Sequence, residues 1–244
     1  MSRYSFLAVA AAIVLLGWTT TARASIIFDD FNTNEGHFNQ APNFSGTTNM
    51  SSASTADRVT TGAFEGIGCE EVVGVLSATN PGRIRFVSGS GTMANNNIFA
   101  TSGGTDGFIG FYYKTSTAGL KLQLNLDGDT VGDTGSAGAT SELDGSPIVT
   151  TVGDGAWHLA EFDLDASGWL ASSGLGGGHG GVVLDGNHSI DSIMISSFTT
   201  NATIDFDFVA KSDSGSIAAL VPEPASLSLF GVAAIAAFAR RRKR

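Results

Sequence analysis

Residues 120–126 read Leu120-Lys121-Leu122-Gln123-Leu124-Asn125-Leu126. An apolar side chain at every second position sets one face in a core and the other in water, the signature of a half-buried antiparallel strand rather than of a helix. The pattern recurs where Ile204, Phe206 and Phe208 alternate with Asp205 and Asp207, which predicts all three apolar residues on the core face. Shorter runs at Ile84–Val87, Phe108–Tyr113, Trp157–Leu164 and Ile190–Ile195 are separated by clusters of Gly, Asn, Asp and Ser. Of the 32 glycines, 30 lie between residues 25 and 220, and most fall in those connections. That is double the usual glycine share of roughly 7%. No segment of this body sustains a capped helical repeat. The sequence therefore predicts an all-β fold, a jelly-roll-like β-sandwich.

Outside the strands, charge and length narrow the function. The chain has 244 residues, enough for one ordinary domain with short appendages. It holds 13 Lys and Arg against 23 Asp and Glu, but residues 25–220 hold 6 and 22, so the body carries a net −16. Such a field repels phosphate backbones and argues against nucleic acid as a partner.

The cations missing from the body sit at the ends. Arg3 precedes an apolar or small run from Phe6 to Trp18, followed by Ala22-Arg23-Ala24 and Ser25. A basic start, a short apolar core and small residues at −3 and −1 predict a signal peptide over residues 1–24, with signal peptidase cutting between Ala24 and Ser25. The run is shorter than the roughly 20 residues a membrane helix needs. At the other end, Val221-Pro222-Glu223-Pro224 leads into an apolar stretch, Leu227–Ala239, and then into Arg240, Arg241, Arg242, Lys243 and Arg244. A single transmembrane helix is expected over residues 225–239. The basic cluster stays on the cytoplasmic side of the inner membrane, which leaves the body outside it. The expected organisation is a signal peptide (1–24), a β-sandwich (25–216) and a C-terminal segment (217–244).

Val221 to Pro224, the apolar stretch and the basic run, in that order and paired with a signal peptide, resemble the PEP-CTERM sorting domain. The resemblance implies recognition by an exosortase, a membrane-embedded cysteine protease of exopolysaccharide-producing Gram-negative bacteria. It also implies transient anchoring in the inner membrane, removal of the tail, and delivery to the cell surface or extracellular matrix. The body has a looser likeness. Asp154-Gly155-Ala156-Trp157 before Phe162-Asp163-Leu164, the opening Phe28-Asp29-Asp30-Phe31, and Ile190-Asp191-Ser192-Ile193 resemble concanavalin-like and galactose-binding-like carbohydrate-binding sandwiches.

Several constellations bear on chemistry. Trp157, Trp169, Tyr112 and Tyr113 offer flat faces for sugar rings, although such residues more often serve core or rim packing. Tyr112 and Tyr113 are adjacent, so one of them faces outward on a regular strand. Asn125, Asp127, Asp129 and Asp133 space oxygens as a calcium loop does, but Thr130 stands where the sharp turn wants Gly and Ser136 where a closing Glu belongs. A solvated acidic turn is the alternative. Asp30 and Asp207 form a second candidate calcium pair if the first and last strands meet. Glu161 with Asp163 or Asp165 would serve a glycosidase only across one cleft. Gly176, Gly178 and Gly181 spell a dinucleotide motif, yet the following residues run into an expected turn at Asp185-Gly186 rather than a helix. Cys69 stands alone, so no internal disulfide forms. The leading expectation is a secreted, non-enzymatic structural or adhesive sandwich. The alternatives are a calcium-assisted carbohydrate-binding module that contacts exopolysaccharide and, third, a glycan-cleaving enzyme.

Overall fold

A computed structural model describes residues 25–42, 46–77, 81–89, 98–102, 106–128, 142–172, 178–180 and 184–221. The predicted signal peptide with Ala22 and Ala24, the C-terminal residues from Pro222 through Arg244, and Asp129, Asp133 and Gly176 lie outside them. In chain order the described strands are β1 (Ser25–Asp29), β2 (Thr55–Val59), β3 (Cys69–Gly74), β4 (Gly82–Val87), β5 (Ile98–Ser102), β6 (Phe108–Thr115) and β7 (Lys121–Gly128). There follow β8 (Glu142–Gly145), β9 (Val149–Thr150), β10 (Trp157–Asp163), β11 (Leu170–Ser172), β12 (Gly178–Gly180), β13 (Asp185–Phe198) and β14 (Ala202–Ser212).

These strands form two antiparallel sheets. The first runs β10-β6-β14-β3-β2, with β1 beside the second half of β14. The second runs β12-β11-β8-β7-β13-β4, with β5 on β13 and β9 on β7. The predicted β-sandwich is the observed fold, and each of the six runs read from the sequence lies on a strand. Leu122, Leu124 and Leu126 of β7 are buried beside Ile193 and Ile195 of β13 and face Phe111 and Phe206 from the other sheet. The ring of Phe206 lies 6.0 Å from Phe86 and 5.5 Å from Phe111. Each such side chain contributes about 1.5–3 kcal/mol when taken out of water.

Two expectations fail, both for backbone reasons. Asp185-Gly186 is not a turn: it opens β13 and pairs with Ser102 and Thr101 of β5, with Gly186 at φ +92°. Phe208 does not join Ile204 and Phe206 inside. The register of β14 against β6 shifts between Asp207 and Ala210, and Phe208 takes φ +51°, so a β-bulge breaks the alternation. Val209 packs in the core between the sheets, and Phe208 turns out into a second cluster on the outer face of the first sheet.

Candidate functional site

That second cluster is where the sequence-predicted aromatic residues part company. Trp169 is wholly buried and its indole Nε1 donates to the Asp163 carbonyl at 2.8 Å, so neither ring face meets solvent. Tyr113 points inward and its hydroxyl accepts from the Val152 amide at 3.3 Å. Tyr112 is the outward member of the pair, as alternation requires, but it is only 8% exposed because Phe64 stacks on it at 3.6 Å. Trp157 is half-buried beneath the same loop, its indole donating to the Gly62 carbonyl at 3.1 Å. Of the four rings, Trp169 and Tyr113 are core, Tyr112 is covered by the chain itself, and Trp157 keeps partial exposure.

Strand register builds this face in rows. Trp157 of β10, Lys114 of β6 and Asp205 of β14 stand opposite one another, and Leu159, Tyr112 and Asp207 form the next row. The Lys114 ammonium sits 4.8 Å from the centre of the Trp157 ring, 2.7 Å from Asp205 Oδ2 and 3.0 Å from the Gly62 carbonyl. Asp207 is wholly buried. Its Oδ2 accepts the Phe64 amide at 2.8 Å and the Glu65 amide at 3.1 Å, and its Oδ1 accepts the Phe208 amide at 2.7 Å. Burial pushes its pKa up to about 6 against the pull of those backbone donors. One carboxylate thus fixes both the bulge and the loop that covers Tyr112.

The far end of the face is closed by the C-terminal strap. Gly215, at φ +109°, leads from β14 into a single 3-10 turn, Ile217–Leu220. Ser216 accepts the Ala218 amide at its start. Glu161 Oε2 accepts the Ile217 amide at 2.6 Å, and Ile217, wholly buried, packs with Tyr112, Phe208 and Ala210. Leu220 and Val221 are partly buried against the same cluster, so the packed unit runs past the expected boundary at residue 216.

The acidic candidates are engaged with the backbone. Glu161 and Asp163 do share a face of β10, but Glu161 holds the strap, Asp163 Oδ1 accepts the Asp165 amide at 2.9 Å, and Asp165 accepts the Asp106 amide at 3.0 Å. Asn125 and Asp127 belong to β7 rather than to a loop, opposite Gly145 and Leu143 of β8. On a strand their spacing places them in a row about 7 Å apart. Asn125 donates to Ser192 at 3.1 Å. β1 does pair with β14, yet Asp30 accepts the Asn32 amide while Asp207 serves the Phe64 loop. Among the described residues no three His, Cys, Asp or Glu side chains are grouped to hold a metal. Cys69 is buried, and burial pushes its thiol up to about 12, so it is not a reactive group.

The sequence reading missed the body's use of its cations. Arg58 donates to the Phe31 and Asn32 carbonyls, Arg83 to Gly46 at 3.2 Å, and Arg85 to Asp191, which also accepts from Ser192 at 2.6 Å. Lys211 meets Asp213. In a body with six cations, five are structural ties, and their scarcity was the one signal available.

The C-terminal match settles one part of the reading. Residues 220–243 match the PEP-CTERM protein-sorting motif. The PEP-CTERM motif implies export and processing by an exosortase, and its first two residues, Leu220 and Val221, are packed on the sandwich. No curated protein matches the chain. Among solved structures, it is similar to the family 11 carbohydrate-binding module of the cellulosomal cellulase Lic26A-Cel5E of Clostridium thermocellum. That likeness has 14% identity and a TM-score of 0.42 over 80% of this chain and 98% of the other. It is also similar to the CBM22-1 xylan-binding domain of Paenibacillus barcinonensis Xyn10C, with 12% identity and a TM-score of 0.37 over 81% and 100%. Among the described residues no helix is long and apolar enough to cross a membrane, and the predicted span 225–239 lies outside them.

Proposed function

We propose that the chain is an exported, jelly-roll-like β-sandwich protein that is sorted through its PEP-CTERM motif to the cell surface or extracellular matrix of a Gram-negative bacterium. There the body acts as a non-enzymatic structural or adhesive component. The motif at 220–243, whose first two residues pack on the sandwich, carries this reading. A further observation supports it. The outer aromatic face is closed by the chain's own loop and strap, which suits a structural body better than an open sugar platform.

Replacing Glu223 with Ala, or deleting Arg240–Arg244, is expected to hold the precursor in the inner membrane or misroute it; unchanged mass and localisation would refute the sorting route. For the body, a glycan array run with and without a calcium chelator distinguishes the readings. No bound glycan in either condition fits a structural role, and chelator-sensitive binding lost on Trp157→Ala would replace that role with a calcium-assisted carbohydrate module. Hydrolysis on a polysaccharide panel that disappears in Glu161→Gln would instead make the body an enzyme.

A further inference from the structure

We infer that the strap Ile217–Val221 gates the processing of its own precursor: while it is seated on the outer face of the first sheet the head of the PEP-CTERM motif is held against the body, and processing proceeds from the lifted form. The inference rests on the sorting reading above. Leu220 and Val221 belong at once to the matched motif and to the outer cluster, so the two residues that precede Pro222 pack beside Ile217.

Two contacts hold the strap in its seat, and bonds within the turn fix its shape. Ile217 fills a wholly buried position against Tyr112, Phe208 and Ala210. Its amide is held by the Glu161 carboxylate at 2.6 Å, a charge-assisted bond. The 3-10 turn is closed by the Ala219 amide on the Ser216 carbonyl at 3.1 Å and by the Ser216 side chain on the Ala218 amide. A turn so bonded is not an extended strand that a protease cleft can take. When opening and closing are faster than cutting, the cutting rate follows the population of the open form. The same seat closes Phe208 and Tyr112 from water once the tail is gone, so the strap serves the mature body as its C-terminal clamp.

The test is a pulse-chase of full-length precursor in an exosortase-bearing host, comparing wild type, Ile217→Ala and Glu161→Gln, alongside brief proteinase K digestion of each full chain in detergent. Digestion is expected to cut the strap in both variants and spare it in wild type. Emptying the Ile217 seat is expected to shorten the precursor half-time by about tenfold, with a smaller shortening for Glu161→Gln. Maturation at the wild-type rate or slower, with the strap demonstrably released, overturns the gate; a strap that stays protected in both variants overturns the contacts assigned to it. Glu223→Ala separates the two layers of the reading. If it blocks maturation while the strap variants change nothing, the gate alone falls; if it matures normally, the sorting reading falls with it.

Discussion

The molecule has two aromatic clusters, and they are closed by different means. Between the sheets, Phe86, Phe111, Phe206 and the β7 leucines are covered by two layers of strands, so their burial follows from alternation alone. On the outer face, Tyr112, Phe208 and Trp157 have no second sheet above them and are covered by Phe64 and the strap. Those covers are pinned by two carboxylates, Asp207 and Glu161, each accepting backbone amides. Aromatic residues on a strand predict that something will bury them, but which layer does so is decided by a few polar anchors.

The sharpest contrast is expected from truncating a ring on each side. Phe206→Ala empties the inner core and should lower stability by about 3–5 kcal/mol in denaturant melts. Removal of the loop anchor by Asp207→Ala is expected to lose about 1–3 kcal/mol by leaving buried amides unpaired, and to red-shift tryptophan emission as Trp157 meets water. Phe64→Ala should shift the same emission with a smaller loss, on the order of 1–2 kcal/mol, because its ring is only partly buried. A Phe64→Ala loss as large as that of Phe206→Ala would erase the distinction between the clusters.

A pH titration divides the molecule differently. Glu70 of β3 is wholly buried on the core side, with no hydrogen-bond partner for its carboxylate among the described residues, and burial, then the Glu35 carboxylate, pushes its pKa up to about 9. The folded state therefore holds a proton that the unfolded chain releases near 4.5. The stability this contributes is fully present below that lower value and is lost as pH rises through about 9. Asp207 adds the same sign over a narrower window ending near 6. Wild type should thus melt at a lower temperature at pH 9 than at pH 5, and Glu70→Gln should flatten most of that slope while raising the melting point at pH 9. A slope that persists in Glu70→Gln would move the cause elsewhere.

The same two residues explain what was legible beforehand. β7 and the first half of β14 announce themselves because their core positions are apolar and their outer ones polar, whereas β6 reads as a strand from its aromatic run although Phe108 and Tyr112 lie on its outer face. β3 does not, since Glu70 shares the inward face with Val72 while Cys69 and Val73 point the other way, so its pattern reads as no pattern. The bulge at Phe208 carries no residue type that marks a left-handed backbone, and the alternation appeared unbroken through it. Of the site, the alternation required one outward tyrosine of the pair without saying which, and Tyr112 is that one. The cover over it was not legible, because Phe64 arrives from a Gly-rich loop whose anchor, Asp207, is 143 residues away in sequence. Asn125 and Asp127 carry the spacing of two that loops and strands share, so the sequence alone did not tell which they occupy.

Intact mass of the protein recovered from its native cell envelope tests the sorting route most directly. The expected species begins at Ser25 and ends within the Val221–Pro224 segment, both terminal signals having been removed. A mature species that still carries Arg240–Arg244 would contradict it.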